Sequence, residues 1–339
     1  MEIFRRQPPP ARRRPCALTI GNFDGMHVGH RAVMATLRRN AHERGLPLCV
    51  LTFEPHPREY FAALAAAAGR PDASAPSRIS TLRDKVAALA ECGVDRVCIA
   101  RFDASLASLA PERFVDEILV RDLCTRYLLI GDDFRFGARR AGDFALLRRM
   151  APAAGFELER LETVERGGAR VSSSAVRAAL AASDFARAAA LLGRPYSICG
   201  RVLHGRKLGR TLGFPTLNVR IPFERPAVAG VFVVRAHGLR DTPVEGVASL
   251  GTRPAVERDG RLLLEVHLFD FNEPAYGRLV SVEFVAKLRD ERDFGSLDEL
   301  RAQIDRDARD ARAHFAAARA AAAAPANPNP DGEGLDAAR

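Results

Sequence analysis

Two histidines three residues apart are the first groups in this chain whose spacing suits chemistry. They stand in Thr19-Ile20-Gly21-Asn22-Phe23-Asp24-Gly25-Met26-His27-Val28-Gly29-His30. Three glycines lie within nine residues of this stretch, and a helix pattern follows. A glycine-rich turn lets backbone N–H groups approach an anion, and a helix start aims free N–H groups at it. Spaced i, i+3 at that start, His27 and His30 face one side and can donate to a phosphoryl group gaining charge in a transition state. A single histidine here would read as a cap or a surface residue. H-x-G-H directly after a strand and a glycine turn reads as functional. The glycine spacing is not the dinucleotide G-x-G-x-x-G, and no G-K-[ST] follows as in a Walker loop.

A second constellation lies far downstream. Gly205, Gly209 and Gly213 space a basic turn containing Lys207 and Arg210, and Pro215-Thr216-Leu217-Asn218 follows. Thr216 and Asn218 are one residue apart, so in an extended segment they point the same way. They can offer two hard oxygens to Mg²⁺, which takes few protein ligands beside substrate phosphates. An ordinary polar turn is the plain alternative. Between these clusters, Ser172-Ser173-Ser174 with Arg177 opens a helix. One serine suffices for capping; three with an arginine suit a phosphate grip. Gly131 to Gly137 is a loop after a strand, with Arg135, Arg139 and Arg140 as a phosphate contact or a solvated basic turn. Phe53, Tyr60 and Phe61, around a stiff Pro55-His56-Pro57, could pack on a flat ring or belong to the core.

The elements that must position these groups follow from periodicity. Cys16–Ile20 reads as a strand, and Val33, Met34, Leu37 and Ala41 mark one helix face, closed by Gly45. Leu48–Phe53 is the next strand, completing a βαβ unit. Ser80–Cys92 reads as a helix with Val86, Leu89 and Ala90 inward. Residues 96–102 read as a strand. Pro111 opens a helix burying Phe114, Val115, Ile118 and Leu119. Residues 127–130 and 156–164 read as further strands. Leu64–Pro76 reads as a mobile surface insertion. This predicts a doubly wound α/β domain, residues 15–184, with a linker over 185–196. From Tyr196, short β runs at 197–203, 230–236, 244–250, 262–269 and 279–284 predict an antiparallel barrel or sandwich over 197–320. A terminal helix over 296–318 carries Leu297, Leu300, Ile304 and Ala308 on one face. The tail, 321–339, reads as disordered.

Composition bounds the partners. The chain has 339 residues, 47 % of them hydrophobic, and a net charge of +9. No apolar run reaches the roughly 18–20 residues of a membrane span. The arginine- and proline-rich start lacks a signal-peptide core, so a cytoplasmic protein is expected. Six cysteines form no C-x-x-C pair and read as buried free thiols rather than disulfides or a zinc site. The positive charge is almost all arginine, the lysines being Lys85, Lys207 and Lys287. Acidic residues are interspersed and no aromatic platform alternates with the arginines, so nucleic acid is not an expected partner. Attraction of polyphosphate ligands accounts for the charge.

The motifs G-N-F-D-G-M-H-V-G-H, T-F-E-P-H-P, G-D-D-F-R-F-G, S-S-S-x-V-R, G-F-P-T-L-N and E-V-H-L, in this order over residues 16–318, resemble the bacterial bifunctional riboflavin kinase/FAD synthetase family. The resemblance implies a Rossmann-like nucleotidyltransferase domain joined to a β-barrel kinase domain. It implies ATP bound in the first by Gly21, Phe23, Asp24, Gly25, His27, His30, Asp133, Ser173, Ser174 and Arg177. Flavin would lie against Phe53, His56, Pro57, Phe61 and Phe134. In the barrel it implies ATP at Gly205, Lys207, Gly209, Arg210, Gly213, Thr216 and Asn218, with Mg²⁺ on Thr216 and Asn218. Glu265, otherwise readable as a solvent-facing strand residue, matches the family's catalytic base, and Arg289 and Phe294 its flavin side. The implied reactions turn riboflavin and ATP into FMN, then FMN and ATP into FAD and pyrophosphate, in a monomer or weak homo-oligomer. Relatives more often carry alanine at Leu217, asparagine at Ser249, threonine at Ala255 and Ser174, and some carry asparagine at Asp133. Two other readings are a different adenylyltransferase, disfavoured by the barrel motif, and a basic RNA-binding module.

Overall fold

A six-stranded parallel sheet and a six-stranded closed antiparallel barrel divide the chain. The computed structural model describes residues 1–70, 75–131, 133–161, 165–166, 169–204, 213–251 and 262–323. The sheet order is β1 (Glu2–Arg5), β4 (Arg96–Arg101), β3 (Leu48–Glu54), β2 (Cys16–Ile20), β5 (Thr125–Gly131), β6 (Glu157–Leu161). Strand order therefore reverses between β2 and β5, and loops leaving their carboxyl ends border the crevice where such sheets bind ligands. Strand β1 lies in the arginine- and proline-rich start, which offers no apolar alternation; its in-register pairing with β4 secures it at the sheet edge.

Helix α1 (Val28–Glu43) buries Val33, Met34, Leu37 and Ala41 as its periodicity predicts. It packs on one sheet face with α3 (Leu82–Glu91). The expected inward set of α3 is partly wrong. Ala90 is exposed, whereas Lys85, Ala88 and Leu89 are buried. Thr81, in a capping box with Asp84, sets the start of α3 and therefore its rotation. The opposite face is covered by a π-helical segment, Phe114–Asp122, and by a helix over Phe144–Ala154. Leu64 belongs to a regular helix, α2 (Pro57–Ala67), so the expected mobile insertion is corrected there; residues 71–74 lie outside the described part.

Helices over Ser173–Ala181 and Phe185–Leu192 share one apolar cluster with the barrel interior: Val176, Leu180, Phe185 and Leu192 meet Ile198, Phe232 and Phe284. The backbone N–H of Arg78 donates to the carbonyl of Arg225 at 2.7 Å, a direct tie from the α/β part to the barrel.

The barrel closes in the order β10 (Leu217–Arg220), β13 (Leu263–Leu268), β12 (Val244–Leu250), β11 (Gly230–His237), β14 (Leu279–Arg289), β9 (Ser197–Leu203). Strand β10 has only four residues, too few to show as an apolar run. Val219, Phe232, Ala248, Leu264 and Val266 fill the interior. The terminal helix, α9 (Leu297–Ala323), lies on an outer patch of Val231, Val233, Val247 and Phe269. Its buried stripe is Gln303, Asp307, Ala311 and Phe315, rotated from the apolar stripe expected, and Leu297 is exposed. Polar residues occupy that stripe because arginines reach them: Arg289 bonds Asp307, and Arg292 bonds Gln303. The helix continues to Ala323, past the expected start of the tail; residues 324–339 lie outside the described part. No helix among the described residues is long and apolar enough to cross a membrane.

Candidate functional sites

The glycine turn leaves β2 and is held in an uncommon backbone conformation. Phe23, Gly25 and Met26 all have positive φ, at 47°, 85° and 45°. Buried Phe23 and Met26 anchor the loop in the core, which offsets the cost of left-handed backbone at non-glycine residues. Asp24, 1 % exposed, accepts from the N–H groups of Ile79 and Ser80, and Ser80 Oγ accepts from Gly25 N.

His27 is the N-cap of α1. Its Nδ1 accepts from the His30 N–H at 3.3 Å, so in the neutral ring the proton sits on Nε2. The two imidazoles stack with centroids 3.6 Å apart at 17°. Burial lowers His27 to about 4, and burial, with the positive charges of Lys85 and Arg177 nearby, lowers His30 well below the ordinary range. Both are therefore neutral near pH 7, each with one N–H to donate. Among the described residues, His30 Nδ1 is buried without a hydrogen-bond partner.

The three serines divide their work. Ser172 caps the helix at Ala175 N, Ser173 donates to the carbonyl of Asp24 at 3.2 Å, and Ser174 is exposed. Arg177 is taken by protein partners: Nη2 lies 2.5 Å from Asp24 Oδ2 and Nε donates to the Ser77 carbonyl at 2.6 Å. The guanidinium thus joins the serine helix, the glycine turn and residues 77–80. Asp133 is exposed, and Gly131 has no Cβ to crowd its carboxylate.

On the other side of the sheet's carboxyl edge, Phe53, Tyr60, Phe61 and Phe102 form an edge-to-face cluster with centroids 5.4–5.9 Å apart. Phe102 was not singled out from sequence; its only signal is the end of a strand. His56 caps α2 by accepting from Arg58 N, and Pro57 is the first helical residue. Phe134 stacks on Phe136. Beside Phe53 a cavity of about 510 Å³ runs under the π-helical segment, lined by Ala100, Leu106, Leu109, Phe114 and Ile118, with Arg101 and Arg113 contributing charge.

In the barrel, Asn218, Glu265 and Ser249 lie directly opposite one another across three strands. Their neighbours Val219, Leu264 and Ala248 point into the filled interior, so this polar row faces outward. Leu217 packs toward the interior, away from Asn218. Ser249 Oγ donates to Glu291 at 2.8 Å. Arg289 donates to Asp307 through Nε and Nη2, which ties β14 to α9, and its guanidinium lies 5.8 Å from the Phe294 ring centre. Gly213 has φ 89°. Gly205, Lys207, Gly209 and Arg210 lie outside the described residues. Asn218 is buried and outward-facing next to the Glu265 carboxylate, oxygen donors of the kind a hard cation such as Mg²⁺ accepts.

A parallel α/β domain with H-x-G-H at its switch point, joined to a barrel bearing an outward polar row around Glu265, defines a two-domain phosphate-transfer protein. A family model for FAD synthetase matches residues 10–175, and one for riboflavin kinase matches residues 192–315. The bifunctional riboflavin kinase/FMN adenylyltransferase of Escherichia coli (strain K12) is 48 % identical over 300 residues, covering 88 % of this chain and 93 % of its own. That of Haemophilus influenzae is 45 % identical over 301 residues, covering 88 % and 94 %. A crystal structure described as a macrolide-efflux protein from Streptococcus pneumoniae superposes with a TM-score of 0.65 at 27 % identity, covering 89 % of this chain and 94 % of that one. The chain belongs to the bifunctional riboflavin kinase/FMN adenylyltransferase family. It phosphorylates riboflavin to FMN with ATP and adenylylates FMN with ATP to FAD.

Proposed function

We propose that the two reactions are divided between the stacked histidines of the α/β domain and the outward row of the barrel. In adenylyl transfer, an oxygen of the FMN phosphate attacks the α-phosphorus of ATP and pyrophosphate leaves. His27 and His30 donate N–H groups to the oxygens gaining charge there. The attacking phosphate is already ionised, so positioning and electrostatics carry the step without a strong base. Ser173 and Ser174, at a helix start, hold the leaving phosphates. Arg177 positions the glycine turn through Asp24, since its donors are already engaged with Asp24 and Ser77. The flavin ring lies on the aromatic cluster of Phe53 and Phe61 and enters the cavity beside Phe53.

In the kinase reaction Glu265 accepts the proton of the ribityl 5′-hydroxyl as its oxygen attacks the γ-phosphorus of ATP and ADP leaves. Thr216 and Asn218 would hold Mg²⁺, which supplies charge neutralisation at the transferring phosphates when bound. Unpaired cysteines and polyphosphate substrates support a cytoplasmic setting.

The observation that carries the adenylyl assignment is the neutral His27–His30 stack at the α1 start. Replacing both by alanine is expected to lower FAD formation from FMN at least about hundredfold, as loss of transition-state donors does. Riboflavin phosphorylation should continue. Intact FAD synthesis would overturn the assignment.

A further inference from the structure

Of 51 basic side chains only three are lysines, and one of these, Lys85, is 1 % exposed. It projects from α3 toward the underside of the glycine turn. Its ammonium donates to Thr52 Oγ1 at 3.3 Å, and Thr52 in turn donates to the carbonyl of Asn22 at 3.3 Å. Two hydrogen bonds thus run from a buried cation to the turn that precedes His27. Around it stand Glu54 from β3, Asp24 from the turn, Glu59 from α2, Arg78 from the segment before α3, and His30 from α1. The carboxylates are already engaged: Arg78 pairs with Glu54 and Glu59, and Arg177 with Asp24. Lys85 has no carboxylate within ion-pair distance among the described residues, so its hydrogen bond goes to a neutral hydroxyl.

We propose that Lys85 is a positioning residue for adenylyl transfer: its charged ammonium sets the glycine turn through Thr52, and with it the placing of His27 and His30 against the nucleotide phosphates. This rests on the assignment of His27 and His30 to the adenylyl site. Burial brings Lys85 down to about 8, with Arg78 adding to the shift. The charged form is therefore lost just above neutral pH. Arginine at the same place would stay charged.

The test uses the full chain and follows both activities. For the adenylyl reaction, kcat/KM for ATP reports groups of the free enzyme. In the unaltered protein it is expected to fall about tenfold or more between pH 7.5 and 9.5, as a group that must be protonated titrates. Lys85→Met should lower it about tenfold at pH 7 and lack the alkaline limb, while riboflavin phosphorylation is kept. Lys85→Arg should restore activity and flatten the limb. An unaltered protein without the alkaline limb overturns the proposal even if the variants fail to fold. So does Lys85→Met with unchanged kcat/KM, or with the limb retained. His27→Ala separates the two readings: if it too leaves adenylyl transfer intact, the site assignment itself fails, whereas an inactive His27→Ala beside a normal Lys85→Met sinks only the role of Lys85.

Discussion

Arg177 Nη2 sits 2.5 Å from Asp24 Oδ2, joining residues 153 positions apart in the chain. Asp24 is 1 % exposed and also receives the backbone N–H groups of Ile79 and Ser80. The pair locks the glycine turn against the serine helix and against the segment whose next N–H, that of Arg78, reaches the barrel. Asparagine at position 24 keeps the shape but leaves the guanidinium without its counter-charge. Breaking one side of a buried pair costs about 3–5 kcal/mol. Asp24→Asn is expected to lose most of that in urea unfolding and to lose FAD formation.

Acid sensitivity follows from the histidines. In the unfolded chain His27 titrates near the ordinary 6.5; in the folded chain burial holds it at about 4. Between these values the unfolded state binds the extra proton. The contribution is fully present above about pH 6.5 and is lost as pH falls toward 4, on the order of 2–3 kcal/mol. His56, also lowered to about 4, acts in the same direction. His27→Asn should flatten the slope of unfolding free energy between pH 4 and 6.5 by up to one proton. Urea midpoints at pH 4.5 and 7.5 measure it.

With Glu265 as the proposed base of the kinase step, the two activities should separate. Glu265→Gln retains shape on the outer face but cannot take a proton. Riboflavin phosphorylation should drop about 10²- to 10⁴-fold, the usual range for a lost general base. When FMN is supplied directly, FAD should form at a rate within about twofold of the unaltered protein, because removal of one carboxylate from the barrel row leaves the histidine site alone. Chromatography of the flavin products distinguishes the two.

Gly251 leaves room for a side chain rather than for a turn. A methyl at its Cα would lie 2.2 Å from a Glu291 carboxylate oxygen. That carboxylate is the free end of a side chain and can swing away, so Gly251→Ala should change stability by less than about 1 kcal/mol. It would, however, break the Ser249–Glu291 bond beside Glu265. A raised KM for riboflavin with unchanged adenylyl transfer is expected from steady-state kinetics.

Local pattern was enough to read the strand, glycine turn and α1, the switch to short strands after Tyr196, and the candidate residues of both sites. Each of these is written within one helical turn or one strand, where hydrophobic period and glycine spacing act directly. What a distant partner decides was not legible. Strand β1 depends on β4, and the four-residue β10 on its neighbours in the closed barrel. The buried stripe of α9 is polar at Gln303 and Asp307 because Arg292 and Arg289 arrive from β14 and the loop after it. Arg177 reads from sequence as a phosphate ligand, yet its partners Asp24 and Ser77 are 153 and 100 residues away. Lys85 lies outside the inward set expected for its helix, yet the rotation of α3, set by the Thr81 cap, turns it beneath the glycine turn. Sequence determined which groups could do the chemistry; the tertiary structure decided which of them are buried and which are held by other side chains, because burial and pairing are properties of neighbours that only folding brings together.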